Sequence, residues 1–170
     1  MPDIKIFRSS IENISCVETT NLIIAVGDNN LRFNCSKKVR KLGYKQPSLH
    51  ILADTILLDE DDKGNQYMKG SVIYPTALIG ANCIINSGAI IEHHSKIDDG
   101  SHIAPSAVVL GNVCIGKMCE IGANSTILPN VKILDNITVG ANSLVLEDLD
   151  VTMGTYFGVP AKIIVENLKS

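Results

Sequence analysis

An aliphatic residue recurs at every sixth position between residues 73 and 145, without a single slip. A period of six fits neither an α-helix nor a long alternating strand, but it fits short strands joined by tight turns. Three such hexads close one triangular coil of eighteen residues, in which the β-branched side chain points inward. The positions that establish the repeat are Ile73, Ile79, Ile85, Ile91, Ile97, Ile103, Val109, Ile115, Ile121, Ile127, Ile133, Val139 and Val145.

The repeat predicts a mainly β fold, a parallel β-helix with a little over four coils between residues 73 and 145. Gly or Asn at the turns would tolerate unusual dihedral angles. Stacked coils lie about 4.8 Å apart, so Cys83, Ser101 and Cys119 are predicted to form one inward column. Cys83 and Cys119 are then two coils apart, roughly 10 Å, which is too far for a disulfide.

Composition and charge exclude several other classes of protein. The net charge is −3 with no basic tract, so neither nucleic acid nor an anionic membrane surface is an expected partner. The longest apolar run, residues 22–26, is too short to span a bilayer. The cysteine count is odd, without a CxxC pair or a signal peptide, which favours reduced thiols and a cytoplasmic location. The cysteines are Cys16, Cys35, Cys83, Cys114 and Cys119.

The residues before the repeat predict a strand–loop–helix unit. Residues 21–26 form an apolar run typical of a buried strand, and residues 27–30 form a turn with helix-capping residues. A phosphate could bind at such a helix N-terminus, although a plain packing unit explains the same residues equally well. A helical apolar stripe follows, ended by a glycine: Leu31, Cys35, Val39, Leu42 and Gly43.

These patterns divide the chain into three parts. Residues 1–50 form a small α/β appendage, residues 51–150 the β-helix and residues 151–170 a C-terminal cap. The segment Gly158-Val-Pro-Ala-Lys162 is a Pro-Gly turn that would end the repeat and begin the cap.

The hexads and the segment Gly158-Val-Pro-Ala-Lys162 resemble those of the hexapeptide-repeat acyltransferases. The resemblance implies that the β-helix is left-handed and that the chain forms a homotrimer with active sites between neighbours. It also implies that acetyl-CoA is the co-substrate and that residues 158–162 lie near the CoA.

Three of the four histidines lie between Asn86 and Pro105. This stretch resembles one subgroup, the bacterial acetyltransferases that modify amino groups of nucleotide-linked sugars or hydroxyl groups of sialic acid. The resemblance implies that the pair Glu92-His93 carries the general base, His93. It further implies that CoA contacts His102, Ala123 and Ala141. The acceptor is expected to contact Gly27, Asn86 and Glu92.

Acetyl transfer from a thioester needs a base for the proton of the nucleophile and a donor for the developing oxyanion. Gly111 is eighteen residues beyond His93, so it is predicted to lie beside His93 one coil further on. Its bare backbone N–H could face the oxyanion. Ala123 and Ala141, also eighteen apart, are predicted to share one column with Pro105.

The chain departs from the subgroup at two places. The subgroup usually has an acidic residue directly after the catalytic histidine, and here that residue is His94. The subgroup also opens with a full nucleotide-sugar domain, of which this chain is predicted to keep only the second half, with Val26-Gly-Asp-Asn29 at its turn. Which sugar is the acceptor, and whether nitrogen or oxygen is acetylated, stays open.

Three functions compete at this point. The first is an acetyl-CoA-dependent acetyltransferase that modifies a sugar or nucleotide sugar. The second is a degenerate β-helix scaffold that has lost catalysis but still binds acyl-CoA. The third is a zinc enzyme like the γ-class carbonic anhydrases. It is disfavoured because Asp98 stands where a histidine ligand is needed, and because His93 and His94, as neighbours on a strand, would point opposite ways. We therefore expect no metal.

Overall fold

The computed structural model describes residues 21–52, 55–59 and 61–164. The predictions that concern Cys16, the first twenty residues of the appendage and residues 165–170 of the cap lie outside this range. Within it, the chain forms one α-helix and eighteen short strands. Their bounds are α1 Asn29–Lys41, β1 Ser48–Leu52, β2 Thr55–Asp59, β3 Gln66–Tyr67, β4 Val72–Ile73, β5 Leu78–Ile79, β6 Ile84–Ile85, β7 Ile90–Ile91, β8 Lys96–Ile97, β9 His102–Ile103, β10 Val108–Val109, β11 Cys114–Ile115, β12 Glu120–Ile121, β13 Thr126–Ile127, β14 Lys132–Ile133, β15 Thr138–Val139, β16 Leu144–Val145, β17 Thr155–Phe157 and β18 Lys162–Ile163.

The strands form three sheets, which are the three sides of a prism. Sheet 1 has the order β18-β17-β15-β12-β9-β6-β3-β1-β2, sheet 2 the order β16-β13-β10-β7-β4, and sheet 3 the order β14-β11-β8-β5. Successive strands visit the three sheets in turn, and each strand of the repeat pairs in parallel with the strand eighteen residues away, as Ile85 pairs with Ile103 and Ile103 with Ile121. The structure thus confirms the predicted left-handed parallel β-helix and its eighteen-residue coil.

The solenoid is longer than the hexads alone predicted, with about six turns instead of a little over four. Strand β3 continues sheet 1 before the first hexad, and β1 pairs in parallel with β3. At the other end, β17 pairs in parallel with β15. Strand β3 keeps the period of eighteen, with Tyr67 opposite Ile85, but it has an aromatic residue where the hexads have an aliphatic one. The outermost rungs leave the period, because Leu49 pairs with Gln66 and Thr138 with Thr155, each seventeen residues apart.

The interior is a stack of aliphatic side chains with small residues between them. From Ile85 to Val145, every aliphatic position of the hexads is buried. Cys83, Ser101 and Cys119 are fully buried, and the Cys119 N–H donates to Ser101 Oγ, which confirms the predicted inward column. Burial raises the pKa of the Cys83 thiol to about 12 and that of Cys119 to about 11, so both are unreactive core residues.

The corners of the prism repeat one backbone conformation. Every sixth residue from 82 to 142 has a positive φ, and Asn occupies six of these positions. Asn and Gly reach this left-handed region at little cost. By contrast, the glycines that directly follow an aliphatic position serve close approach between coils. A Cβ added at Gly116, for example, would lie 2.4 Å from Asp135 Oδ1 in the next coil.

The unit before the solenoid differs from its prediction in two respects. Residues 22–26 form no strand, and their side chains alternate between exposed and half-buried; only an isolated bridge joins Asn21 to Lys45. Helix α1 is present, capped by the Asp28 carboxylate, which accepts from the Leu31 N–H. The predicted apolar stripe is wrong, however, because Leu31 and Leu42 are exposed. The buried residues of α1 are Asn29, Arg32, Ser36 and Val39.

Polar groups explain why this helix buries a polar face. α1 packs against the turns of the solenoid, which present backbone carbonyls instead of apolar side chains. Arg32 donates to the carbonyl oxygens of Asn82 and Gly100, and Asn29 Nδ2 donates to that of Cys119. A buried donor stabilises such an interface only when it meets an acceptor. The helix is therefore docked by hydrogen bonds.

The last described residues fold back onto the end of the solenoid. Strand β18 pairs antiparallel with β17, and the segment Gly158–Lys162 bonds to the last coil. The Leu144 N–H donates to the Gly158 carbonyl, and the Ala161 N–H to the Leu144 carbonyl. Among the described residues, no helix combines the length and the hydrophobicity that crossing a bilayer requires.

Candidate active site

His93 lies at the corner where the chain passes from sheet 2 to sheet 3, between β7 and β8. Its side chain is exposed. Its ring rests directly against Gly111, the corresponding corner residue of the next coil, since a Cβ on Gly111 would lie 2.6 Å from His93 Cε1 and 2.8 Å from Nε2. The spacing of eighteen therefore places the two residues together as predicted, and the missing side chain of Gly111 is what makes room for the imidazole.

His94 contacts His93 through its ring. The two Nδ1 atoms are 3.0 Å apart, and the rings meet edge to face with their centroids 5.2 Å apart. The expectation that these side chains point opposite ways was wrong. The physical reason is that both residues lie in a turn, where the alternation of a strand does not apply.

The backbone of Gly111 presents a donor next to the imidazole. The Gly111 carbonyl accepts from the Asn130 N–H of the following coil. The Gly111 N–H, in contrast, has no acceptor among the described residues. A free N–H beside an exposed imidazole is the arrangement that a tetrahedral oxyanion could use.

His102 lies on the outer face of sheet 1 and contacts Asn86. The Ser87 N–H donates to Asn86 Oδ1, which fixes the orientation of the amide and turns Asn86 Nδ2 toward His102 Nε2 at 3.0 Å. His102 Nε2 is therefore the acceptor, and the ring carries its proton on Nδ1. That nitrogen lies 3.8 Å from Glu120 Oε1.

His102 is uncharged at neutral pH. Burial, with a smaller contribution from the positive charge of Arg32, lowers the pKa of His102 from 6.5 to about 4. The contact with Glu120 is thus one between a neutral ring and a carboxylate, and at 3.8 Å it is too long for a hydrogen bond. It does not act as an ion pair.

The candidate base and the candidate CoA contacts lie on different sides of one prism. The corner between sheets 2 and 3, which carries His93, is opposite sheet 1, which carries His102. Ala123 and Ala141 follow β12 and β15 at the corner between sheets 1 and 2. They share a column with Pro105, as the Asn124 N–H donates to the Pro105 carbonyl and the Asn142 N–H to the Ala123 carbonyl.

Of the residues predicted to contact the acceptor, two lie away from Asn86. Glu92 immediately precedes His93 at its corner and is half-buried. Gly27 is exposed, and a Cβ there would meet no atom within 4 Å. The Gly27 carbonyl accepts from Arg32 Nη1. The sequence suggested that a phosphate could bind at the start of α1. In the structure, the Asp28 carboxylate caps this end of the helix.

Arg32 is a buried polar residue whose role is not predicted by the sequence pattern. All five of its N–H groups have acceptors, and burial is the largest influence on its pKa, which it lowers. A charge pattern alone gives no signal for this role, since an arginine on a short amphipathic helix usually faces water. The acceptors are the carbonyl oxygens of Val26, Gly27, Asn82 and Gly100 and the side-chain oxygen of Asn29.

The described residues contain no group of three or more His, Cys, Asp or Glu side chains that could hold a metal ion. The His93–His94 pair contacts Thr76 of the preceding coil and Gly111 of the next coil.

Comparison with known proteins agrees with the fold and the repeat. Residues 76–111 and 94–128 match the family described as bacterial transferase hexapeptide (six repeats). A structure of perosamine N-acetyltransferase from Caulobacter crescentus, in complex with CoA and GDP-perosamine, is 27% identical over 86% of this chain and 70% of that chain, with a TM-score of 0.76. The acetyltransferase domain of PglB from Neisseria gonorrhoeae is 26% identical over 90% of this chain and 75% of that domain's chain, with a TM-score of 0.69. WeeI from Acinetobacter baumannii, at 19% identity and a TM-score of 0.73, shares the fold.

The repeat and the three-sided prism agree with the hexapeptide transferase match over residues 76–128, and the likenesses to solved structures support an acyltransferase. Among the structures that it resembles are the sugar acetyltransferases named above.

Proposed function

We propose that the protein is an acetyl-CoA-dependent acetyltransferase that acts on a sugar. The acceptor is the amino group of a nucleotide-linked aminosugar, or a hydroxyl group of a sialic acid or surface glycan. The observation that carries the proposal is the exposed His93 imidazole held against Gly111 in a fold of this class. CoA and GDP-perosamine are bound in a structure 27% identical to this chain, which supports the same two classes of ligand here.

His93 acts as the general base. The acceptor nitrogen or oxygen attacks the thioester carbonyl of acetyl-CoA, and His93 Nε2 takes the proton that the nucleophile loses. The tetrahedral intermediate then collapses, the carbon–sulfur bond breaks, and the CoA thiolate recovers the proton from His93. The transfer is direct, so no covalent enzyme intermediate is needed.

Gly111 stabilises the oxyanion through its free N–H. The same glycine admits the imidazole, so a single residue serves both the base and the oxyanion. Removing one oxyanion-hole donor typically costs about 100- to 1,000-fold in turnover. Two variants separate the room that Gly111 leaves for the imidazole from the N–H that it donates. Alanine fills the space but keeps the N–H, whereas proline fills the space and also removes the N–H.

The functional unit is a homotrimer in the cytoplasm, and its sites lie between neighbouring prisms. His93 and His102 cannot meet within one prism, because they lie on opposite sides of it. The outer face of sheet 2, between the corner of His93 and the corner of Ala123, is largely apolar and half-buried or exposed, which suits contact with another copy. The residues on this face are Val72, Ile90, Val108, Thr126 and Leu144.

The test is acceptor-dependent release of CoA thiol from acetyl-CoA, with a panel of aminosugar nucleotides and sialic acids. We expect release with one acceptor class and a loss of at least about 100-fold in His93→Ala. Lys117→Ala is the matched control, because Lys117 occupies the same turn position at another corner and is exposed. A fully active His93→Ala enzyme would exclude His93 as the base.

A degenerate scaffold is the second candidate, and His94 in place of an acidic residue is the observation in its favour. Such a scaffold binds acetyl-CoA but releases no thiol with any acceptor. A calorimetric titration with acetyl-CoA beside the release assay separates the two functions. Binding without release favours the scaffold, and release with any acceptor excludes it.

A further inference from the structure

The pair His93–His94 contains a hydrogen bond whose direction decides whether His93 can act as a base. Two ring nitrogens 3.0 Å apart must share one hydrogen, so one ring is protonated on Nδ1 and the other is not. If the hydrogen belongs to His93 Nδ1, its Nε2 is free to accept a proton. If it belongs to His94, His93 carries its hydrogen on Nε2 and cannot act as a base.

The geometry around the pair favours the first assignment. His93 Nε2 faces the corner of Gly111, where the free N–H lies and where the reacting atoms would gather. The backbone of His94 is fixed by its neighbours. It has a left-handed conformation (φ 60°), and its N–H donates to Thr76 Oγ1 of the preceding coil. Its Nδ1 is thereby aimed at His93 from a fixed backbone position.

We propose that His94 is a positioning residue: it accepts the Nδ1 hydrogen of His93 and so keeps Nε2 as the basic nitrogen. The His94 ring thus orients the His93 ring through the contact between their Nδ1 atoms. This inference rests on the proposed role of His93 as the general base. His94 itself takes no proton from the acceptor and touches neither substrate.

The corner position offers a pair of variants that separate the side chain from the backbone. His94 has the same left-handed conformation as Asn112 and Asn130 at the same corner of later coils and as Asn82 at another corner, so asparagine fits there without strain. Asn Oδ1 and His Nδ1 are both bonded to Cγ, so His94→Asn also keeps an acceptor at the same place. His94→Gly keeps the left-handed backbone but removes the acceptor.

Ring ¹⁵N spectra of histidine-labelled protein, recorded well above the ordinary histidine pKa of about 6.5, report the tautomer directly. The His93 signal is assigned by its absence in His93→Ala. We expect one tautomer in the wild type, protonated on Nδ1, the same tautomer in His94→Asn, and a mixture in His94→Gly. A wild-type His93 protonated on Nε2, or a tautomer unchanged in His94→Gly, would overturn the inference.

The kinetic counterpart uses the same variants with the acceptor that gives thiol release. We expect His94→Asn to keep kcat within about threefold and His94→Gly to lose at least about tenfold, with the KM for acetyl-CoA little changed in both. Equal kcat in the two variants would show that the hydrogen-bond acceptor at residue 94 has no role in turnover. If His93→Ala remains fully active, the base assignment fails and the positioning role fails with it. If no acceptor gives release, the spectra alone decide whether the hydrogen bond has the proposed direction.

Discussion

At the scale of single residues, the absence of a side chain at Gly111 matters more than most side chains that are present. Its φ lies outside the left-handed region, so alanine is compatible with the backbone. The added Cβ, however, would meet the His93 ring at 2.6 Å. Atoms cannot approach this closely, so the imidazole must move away from the corner.

Gly111→Ala is therefore expected to lower turnover without lowering stability. A displacement of about 1 Å at a catalytic group costs roughly 100-fold in rate. The exposed ring can rotate toward solvent, so we expect the melting temperature to stay within about 2 °C. Thiol release and thermal unfolding measured on the same preparation check both statements. An alanine variant with wild-type turnover would show that the observed position of His93 is not the catalytic one.

Gly111→Pro tests the N–H at the same position. Proline is compatible with this turn position, since Pro75 and Pro129 occupy it at the same corner of other coils and Pro105 occupies it at another corner. It adds a Cβ as alanine does, and it also removes the hydrogen. We expect proline to lower turnover at least about tenfold beyond alanine. Equal turnover in the two variants, with the assembly unchanged, would remove Gly111 from the oxyanion site.

His102 makes the stability of the protein depend on pH. Its folded pKa of about 4 lies below the ordinary 6.5, so between these values the unfolded chain binds more protons than the folded one. The free energy of unfolding therefore falls as the pH drops from about 6.5 to about 4. The shift sets an upper limit of about 3 kcal/mol for this loss.

His102→Gln, which cannot titrate, is expected to lose less stability over the same pH range. Denaturant unfolding of both proteins at pH 7 and pH 4.5, at one protein concentration, measures the difference. If the two proteins lose the same free energy of unfolding, protonation of His102 is not what weakens the fold in acid.

At the scale of elements, helix α1 depends on Arg32. Replacing this residue by methionine keeps much of its volume but leaves the carbonyl oxygens of Asn82 and Gly100 buried without a donor. We expect α1 to open more easily by roughly 2 kcal/mol, seen as about 30-fold faster hydrogen exchange over residues 29–41. The core strands of the solenoid should keep their protection, because their hydrogen bonds do not involve α1.

Lys41→Met is the control for this experiment, since Lys41 is on the same helix but exposed. It should leave the exchange of α1 unchanged. Equal exchange in Arg32→Met and the wild type would mean that the helix is held by other contacts, among which the buried Val39 is the first to examine.

The elements also show how far the sequence could predict the fold. Inward Ile and Val at every sixth position follow from the geometry of the coil itself, so their periodicity predicts the sheets, the register and the proximity of His93 to Gly111. No such periodicity determines which residues of helix α1 are buried. Its buried face depends on what it packs against, and the carbonyl-rich turns around Asn82 and Gly100 select Asn29 and Arg32 in place of Leu31 and Leu42. The contact between His93 and His94 depends on turn geometry, which the hexad pattern does not specify.

At the scale of the whole molecule, the positions of His93 and His102 determine how an active site can be assembled. The corner of His93 is opposite the sheet that carries His102, so a site that contains both must take them from two chains. In a closed trimer, each site would then combine His93 of one copy with His102 of its neighbour.

This arrangement predicts complementation between two impaired proteins. His93→Ala and His102→Ala are each expected to be severely impaired as pure trimers. When the two are unfolded and refolded together in equal amounts, random mixing gives roughly a quarter of the interfaces both native histidines. Thiol release should therefore recover to about a quarter of the wild-type rate.

Refolding each variant alone is the control, and it should recover none of this activity. Recovery requires that the two histidines act across an interface. Mixed trimers that form but stay inactive would show that they do not, and His102 would then be confined to the packing of sheet 1 against Asn86.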